Sequence, residues 1–307
     1  MMNKLLGRPQ DLTKMSPDDV KLIINKFDTI ITDCDGVLWI ENKPITGSIE
    51  AYERLVSIGK KVILISNTSI LSRKELRKKA SDMGFPEVPL DNIITTSYLV
   101  ADYLHLKNFS KKAYVIGSQG IADEMAAKGI RHAGVGPDAL QFNLVQAIER
   151  FAPDAQVGAV VVGFDEHFCY NKLLKAASYL SEPSCLFLGT NKEERFKIHA
   201  SLVIPGTGSI LAALESTVQR QATIVGKPYP FLREALKSKH RIVPERTLVI
   251  GDRTNTDVKL SKECKFESLL VKSGAPNYLS LNQQPENGDH VPDFHIDKLG
   301  DLVDCLD

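Results

Sequence analysis

Two aspartates separated by one residue close an apolar run in this chain. In Thr29-Ile30-Ile31-Thr32-Asp33-Cys34-Asp35-Gly36, the β-branched residues read as a buried strand. Buried strands seldom finish in two acids and a glycine. At the carboxyl end of a parallel strand, side chains face the crevice where open α/β sheets bind ligands. Asp33 and Asp35 repel each other there, so the pattern calls for a metal, a lysine or both nearby. Three other apolar stretches also run into polar groups. Lys61–Ile65 leads into Ser66-Asn67, Ala222–Val225 into Gly226-Lys227-Pro228, and Thr247–Ile250 into Gly251-Asp252-Arg253, with Asp257 following. As strands of one parallel sheet, all four would end at a common edge. Their chemical types are complementary: carboxylates suit a hard cation such as Mg2+. A lysine and a hydroxyl/amide pair suit phosphoryl oxygens. One aspartate is left to act as a nucleophile, since a carboxylate can form an aspartyl-phosphate.

The elements that must hold these groups alternate between strand and helix. Ser16-Pro17-Asp18-Asp19 starts a helix, with serine as N-cap, proline at the first helical position and acids in the first turn. A second helix runs from Gly47-Ser48 to about Ser57. Ser72 and Glu75 form a capping box for a third, which Gly84 stops. Consecutive βα units imply a right-handed, mostly parallel sheet. Ile93–Thr95 reads as a strand and 97–106 as a helix, before a polar stretch at 107–112. A second βα series follows, with strands at 113–116, 158–164 and 185–188 and a helix near 170–180. The stretch 274–293 is rich in Pro, Asn and Gly and reads as a long loop.

Bulk composition narrows the function classes. The 307 residues are 43% hydrophobic and 25% charged, and Lys+Arg 38 balances Asp+Glu 38. That is the make-up of a globular chain with no basic excess for a nucleic acid or a membrane surface. The five cysteines form no CxxC pair, which fits a reducing compartment without disulfides. The first ten residues lack the apolar run of a signal peptide, and no window reaches 18 uninterrupted apolar residues. A cytoplasmic protein is therefore expected.

Taken together, Asp33-x-Asp35-Gly-Val, Ser66-Asn67, Gly226-Lys227-Pro228 and Gly251-Asp252-Arg253…Asp257 resemble the four motifs of the haloacid dehalogenase (HAD) superfamily. More narrowly, DCDGVLW, VGFDEHF, PGTGSI and RTLVIGDRTNTD resemble its 4-nitrophenyl phosphate, phosphoglycolate and pyridoxal-phosphate phosphatases. The resemblance implies an α/β fold with a doubly wound parallel-sheet core over 1–107 and 220–307, and an inserted α/β C2-type cap over 108–219. It implies a Mg2+-dependent phosphatase for small phosphorylated metabolites. Asp33 would be the nucleophile and Asp35 the general acid–base. Ser66, Asn67 and Lys227 would bind the phosphoryl group. Asp33, Asp35 (through its backbone carbonyl) and Asp252 would hold the metal, with Asp257 in support. It also implies a homodimer formed through the cap.

Two departures limit what the resemblance carries. Thr68 stands where the group usually has a second Asn. The stretch Thr190–Ser201 lacks the usual Pro and Gly of the cap's specificity loop and presents Arg195 and Phe196 instead. The physiological substrate is left open. A catalytically silent scaffold or metabolite-binding protein, or a protein phosphatase, are the alternatives to a small-molecule enzyme. Cys34, between the two acids, is expected to be a small buried side chain facing away from them.

Overall fold

The computed structural model describes residues 9–140, 143–199, 202–274 and 290–306, with the side chains of Ala147 and of 196–199 left aside. Most of the loop expected over 274–293 lies outside the described residues. By backbone contacts the chain forms two compact units, 1–66 with 77–94 and 227–307, and 67–76 with 95–226. Each is built on a sheet with parallel pairing. The chain crosses between units at 66/67, 76/77, 94/95 and 226/227, rather than at the expected 107/108 and 219/220. The helix Thr96–Leu106 and the strand Thr223–Ile224 thus belong to the second unit. The division also passes through the helix Arg73–Asp82.

The first unit carries a seven-stranded sheet in the order Gln10–Asp11, Phe294–Ile296, Glu267–Val271, Thr247–Gly251, Thr29–Asp33, Lys61–Ser66, Ile93–Thr95. Ile30, Ile31, Ile63, Leu64, Val249 and Leu269 are all buried. Near-continuous apolar strands of this kind are what a sheet covered on both faces requires. The helix Pro17–Asn25 starts as expected, with the Ser16 side chain accepting from Asp19 N–H. Thr29–Asp33 lies between two parallel neighbours. Ile65 stands opposite Asp33 and Ile250 opposite Thr32, which brings three strand ends to one level.

The second unit has a five-stranded sheet in the order Thr223–Ile224, Leu186–Gly189, Val157–Val162, Lys112–Ile116, Arg131–Ala133. This corrects one expectation. The strand before Lys227 is not part of the large sheet, because Thr223 pairs with Leu188 and Ile224 with Gly189 in the second unit. Only three of the four polar strand ends share the large sheet's edge.

Candidate active site

The order of the large sheet places Asp33 at its centre, with Ser66 on one neighbouring strand and Asp252 just past the other. Asp257 sits in the turn Thr254–Val258, where Arg253 N–H donates to its Oδ2 at 3.2 Å. Gly251 permits this fold-back: a Cβ there would stand 2.2 Å from the Cβ of Asp257. Gly36, at φ +92°, is needed for two reasons. Its backbone is left-handed, and a Cβ would meet Asp252 Oδ2 at 2.5 Å.

Although Lys227 arrives from another direction, it is 3% exposed and ends among these acids. Its Nζ lies 2.7 Å from Asp257 Oδ1 and 3.0 Å from Asp33 Oδ1. Burial opposes the lysine's charge, but Asp257 and Asp33 outweigh it and raise its proton affinity. Asp33 Oδ1 also accepts the Cys34 backbone N–H at 2.8 Å, so two donors converge on that oxygen. Burial pushes the Asp33 carboxyl well up, with Asp257 and Asp252 adding to the shift and Lys227 opposing it. Asp252 is pushed up to about 6, by burial first and then by Asp257.

One buried lysine faces three carboxylates here, and Arg253 acts on Asp252 from nearby without offsetting its burial. Oxygens of Asp33, Asp252 and Asp257 all lie within 4.8 Å of one another. Among the described residues, Asp252 Oδ1 is buried with no hydrogen-bond partner. An orphaned buried carboxylate oxygen is costly unless a cation meets it, and an all-oxygen donor set is the kind a hard divalent ion takes. The residues present therefore fit a divalent metal.

Asp35 stands apart from that cluster. Its side chain is 55% exposed, accepts from the Trp39 indole N–H at 2.9 Å, and lies 3.6 Å from Lys79 Nζ. One hydrogen bond and one ion pair hold this exposed carboxylate, which is not among the three that cluster. The adjacent Cys34 is fully buried, and burial together with Asp33 and Asp35 pushes its thiol well up. Trp39 and Lys79 escaped the sequence reading. Trp39 lies a few residues past Asp35 in the same motif, whereas nothing in the sequence around Lys79 connects its helix to this site.

Chemistry of this arrangement points in one direction, and similarity to known proteins points the same way. A haloacid dehalogenase-like hydrolase model matches residues 30–131, and a HAD-hydrolase-like model matches 224–302. The chain is 36% identical over 306 residues to glycerol-3-phosphate phosphatase of Rattus norvegicus, covering 95% of each. The chain belongs to the haloacid dehalogenase-like hydrolases. It is 35% identical over 294 residues to 4-nitrophenylphosphatase of Schizosaccharomyces pombe, covering 94% of this chain and 97% of the relative. Among solved structures, p-nitrophenyl phosphatase from Archaeoglobus fulgidus superposes with a TM-score of 0.76 at 26% identity, covering 90% and 98%. As a member of this family with phosphatase relatives along nearly its whole length, the chain is a phosphoric monoester hydrolase.

The remaining expected residues fall in the second unit. Asn67 is there, its side chain donating to Glu193 Oε1 at 2.7 Å. Arg195 is exposed at the start of the strand Arg195–His199, opposite Pro205 on Leu202–Pro205. The backbone of Phe196 pairs with Ile204, and its side chain lies outside the described residues. No helix among the described residues is long and apolar enough to cross a membrane.

Proposed function

We propose that this chain hydrolyses phosphate monoesters of small metabolites through an aspartyl-phosphate on Asp33, with Mg2+ as cofactor. The observation that carries the reading is the imbalance of one buried lysine among three buried or half-buried carboxylates, with Asp252 Oδ1 unpartnered. Asp33, Asp252 and the backbone carbonyl of Asp35 would hold the ion, with Asp257 beside them. When bound, it would neutralise the carboxylates and the phosphoryl oxygens and so admit an anionic ester to an acidic site.

The chain's own groups do the rest. The Asp33 carboxylate attacks phosphorus in line; the Asp33 O–P bond forms as the ester P–O bond breaks. Asp35 gives its proton to the departing alkoxide, then takes one from the water that cleaves the acyl-phosphate, releasing inorganic phosphate and restoring Asp33. Trp39 and Lys79 hold Asp35 where it can reach both. Ser66 and the Asn67 backbone bind the transferred oxygens. Lys227 favours the ionised form of Asp33 against burial and offsets charge as the oxygens become equatorial.

The second unit corresponds to the insertion read from the family resemblance as a C2-type cap. Exposed apolar side chains on its helix Leu144–Arg150, with Val145 at 64% and Ile148 at 57%, support a cap-mediated homodimer. A monomeric mass by sedimentation at micromolar concentration would rule that dimer out. The decisive test of the activity is a phosphate-release screen over phosphorylated metabolites with Mg2+, using the Asp33→Asn variant as blank. Glycerol 3-phosphate and 4-nitrophenyl phosphate come first, as the compounds for which the relatives are named. Turnover by Asp33→Asn at the wild-type rate would overturn the aspartyl-phosphate reading.

A further inference from the structure

Glu193 lies outside the reacting cluster, and both of its carboxylate oxygens are taken by amides. Asn67 Nδ2 donates to Oε1 at 2.7 Å, and Asn191 Nδ2 donates to Oε2 at 2.5 Å. Asn191 is fixed in turn, since Thr190 Oγ1 donates to its Oδ1 at 2.6 Å. The backbone of Glu193 is anchored as well: its carbonyl accepts Gly208 N–H at 2.8 Å, at the start of the helix Thr207–Val218.

Asn67 is held from its other end too. Thr96 Oγ1 lies 3.0 Å from the Asn67 carbonyl and 2.8 Å from that of Thr68, and donates to them. Gly226 closes the arrangement. Its N–H donates to the Thr190 carbonyl at 2.8 Å. A Cβ at Gly226 would stand 2.7 Å from Asn67 Oδ1 and 2.6 Å from the Thr190 carbonyl, so a side chain there would force the amide and the strand end apart. Every one of these residues belongs to the second unit. Their covalent neighbours give the cluster its meaning. Asn67 directly follows Ser66, and Gly226 directly precedes Lys227; these are two of the four points at which the chain passes between units.

We propose that Glu193 is a positioning residue for phosphoryl transfer. By clamping the Asn67 amide beside Asn191 and Gly226, it fixes the two peptides that carry Ser66 and Lys227. The inference rests on the reading of Ser66, Asn67 and Lys227 as the phosphoryl-binding groups. It differs from a leaving-group role, which is the obvious alternative for an acid beside the Arg195–Pro205 hairpin. Phosphoryl transfer depends chiefly on placement, so a misplaced Ser66–Asn67 peptide costs rate with any ester. Hydrogen bonds to an ionised carboxylate are strong enough to impose that placement. Glutamine at 193 could accept from only one of the two amides, and its own NH2 would face the other.

The test uses the full chain with Mg2+. It compares Glu193→Ala, Glu193→Gln, Asn67→Ala and the Glu193→Ala/Asn67→Ala double variant. Turnover of 4-nitrophenyl phosphate and of glycerol 3-phosphate is measured, together with competitive inhibition by inorganic phosphate. Glu193→Ala should lower kcat/KM about tenfold for both esters and weaken phosphate inhibition by a similar factor. Glu193→Gln should fall between it and wild type, and it carries the same readout if the alanine variant does not fold. Adding Asn67→Ala to Glu193→Ala should cost little more, because both remove one contact. Unchanged phosphate inhibition, or a rise in KM confined to one ester, would overturn the proposal. An inert Asp33→Asn alongside a wild-type-like Glu193→Ala removes only the clamp. An active Asp33→Asn removes the aspartyl-phosphate reading, while phosphate inhibition still decides the clamp.

Discussion

Each of the two units buries a lysine against aspartate, and the two sites are built on opposite principles. In the second unit Lys172 and Asp165 are 0% and 1% exposed and 2.5 Å apart. Asp165 completes its shell by accepting His167 N–H on its other oxygen at 2.8 Å. Charge is matched one to one and the pair is closed. In the first unit Lys227 is as deeply buried, yet it faces Asp33, Asp257 and Asp252, and Asp252 Oδ1 is left without a partner. A closed pair does nothing further; it holds the loop after Val157–Val162 to the helix Tyr170–Leu180. An open one has a deficit of positive charge that a metal and a phosphoryl-transfer cycle can use. Burial and ion pairing alone do not mark a functional site. Stoichiometry does.

The sharpest way to break this contrast is to remove the reacting carboxylate. Asp33→Asn keeps the size of the side chain and its contact with Lys227. Turnover should nevertheless fall by about a thousandfold or more, with little change in Tm. In the second unit the expectation is inverted. Lys172→Met leaves Asp165 buried and alone, so the unfolding free energy should drop by about 3–5 kcal/mol. Folded Lys172→Met should keep its kcat at low temperature. Replacing both partners, as in Lys172→Met with Asp165→Leu, should recover most of the lost stability, as denaturant titration will show. If Lys172→Met instead lost turnover while keeping its stability, the closed pair would have a role in the chemistry.

A metal sharpens the comparison from the other side. At a Mg2+ concentration about a hundred times its dissociation constant, binding to the native state should stabilise it by about 2.7 kcal/mol. Thermal unfolding followed with and without EDTA measures this. Asp252→Asn should lose most of the increment. Lys172→Met, although less stable at the outset, should keep it.

How much of this was legible beforehand depended on where the determining contacts lie. The strand Thr29–Asp33 and its acids were readable because a β-branched run ending in DxDG leaves few alternatives. Ser66 and Asp252 were readable as the ends of neighbouring strands, and parallel pairing delivered both to one level. Lys227 was singled out by motif and its amine lies 3.0 Å from Asp33, but the strand before it was assigned to the wrong sheet. A short strand such as Thr223–Ile224 carries no sequence mark of which sheet will accept it, and here its register with Leu188–Gly189 decided the matter. The Trp39 and Lys79 contacts to Asp35, and the Glu193 clamp on Asn67, were not legible. Each joins groups through side-chain geometry rather than local pattern. The Glu193–Asn67 pair is 126 residues apart.

A third buried ionisable group shows what happens when the nearby charges do not offset burial. His240 ends the helix Pro230–His240 in the first unit and is 9% exposed. Burial drives its pKa down to about 4, Lys61 and Lys239 push the same way, and Asp91 opposes them weakly. The folded chain therefore holds His240 neutral, whereas the unfolded chain takes up a proton near pH 6.5. Below that pH the unfolded state binds more protons, so stability is lost as pH falls from about 6.5 towards 4 and the loss levels off once the folded ring is protonated. The contribution should be on the order of 3 kcal/mol across that window. Carboxylates titrate in the same range, so the measurement is a difference: urea unfolding of wild type and His240→Gln at half-unit steps from pH 7 to 4. The variant should lose less stability on acidification than wild type. Parallel curves would mean that the ring titrates in the fold as it does in the unfolded chain, and a wild type that lost less stability than the variant would mean that His240 has an acidic partner, as Lys172 has. A gap that widens towards neutral pH confirms the neutral ring, the one buried group of the three that meets its environment by giving up its charge.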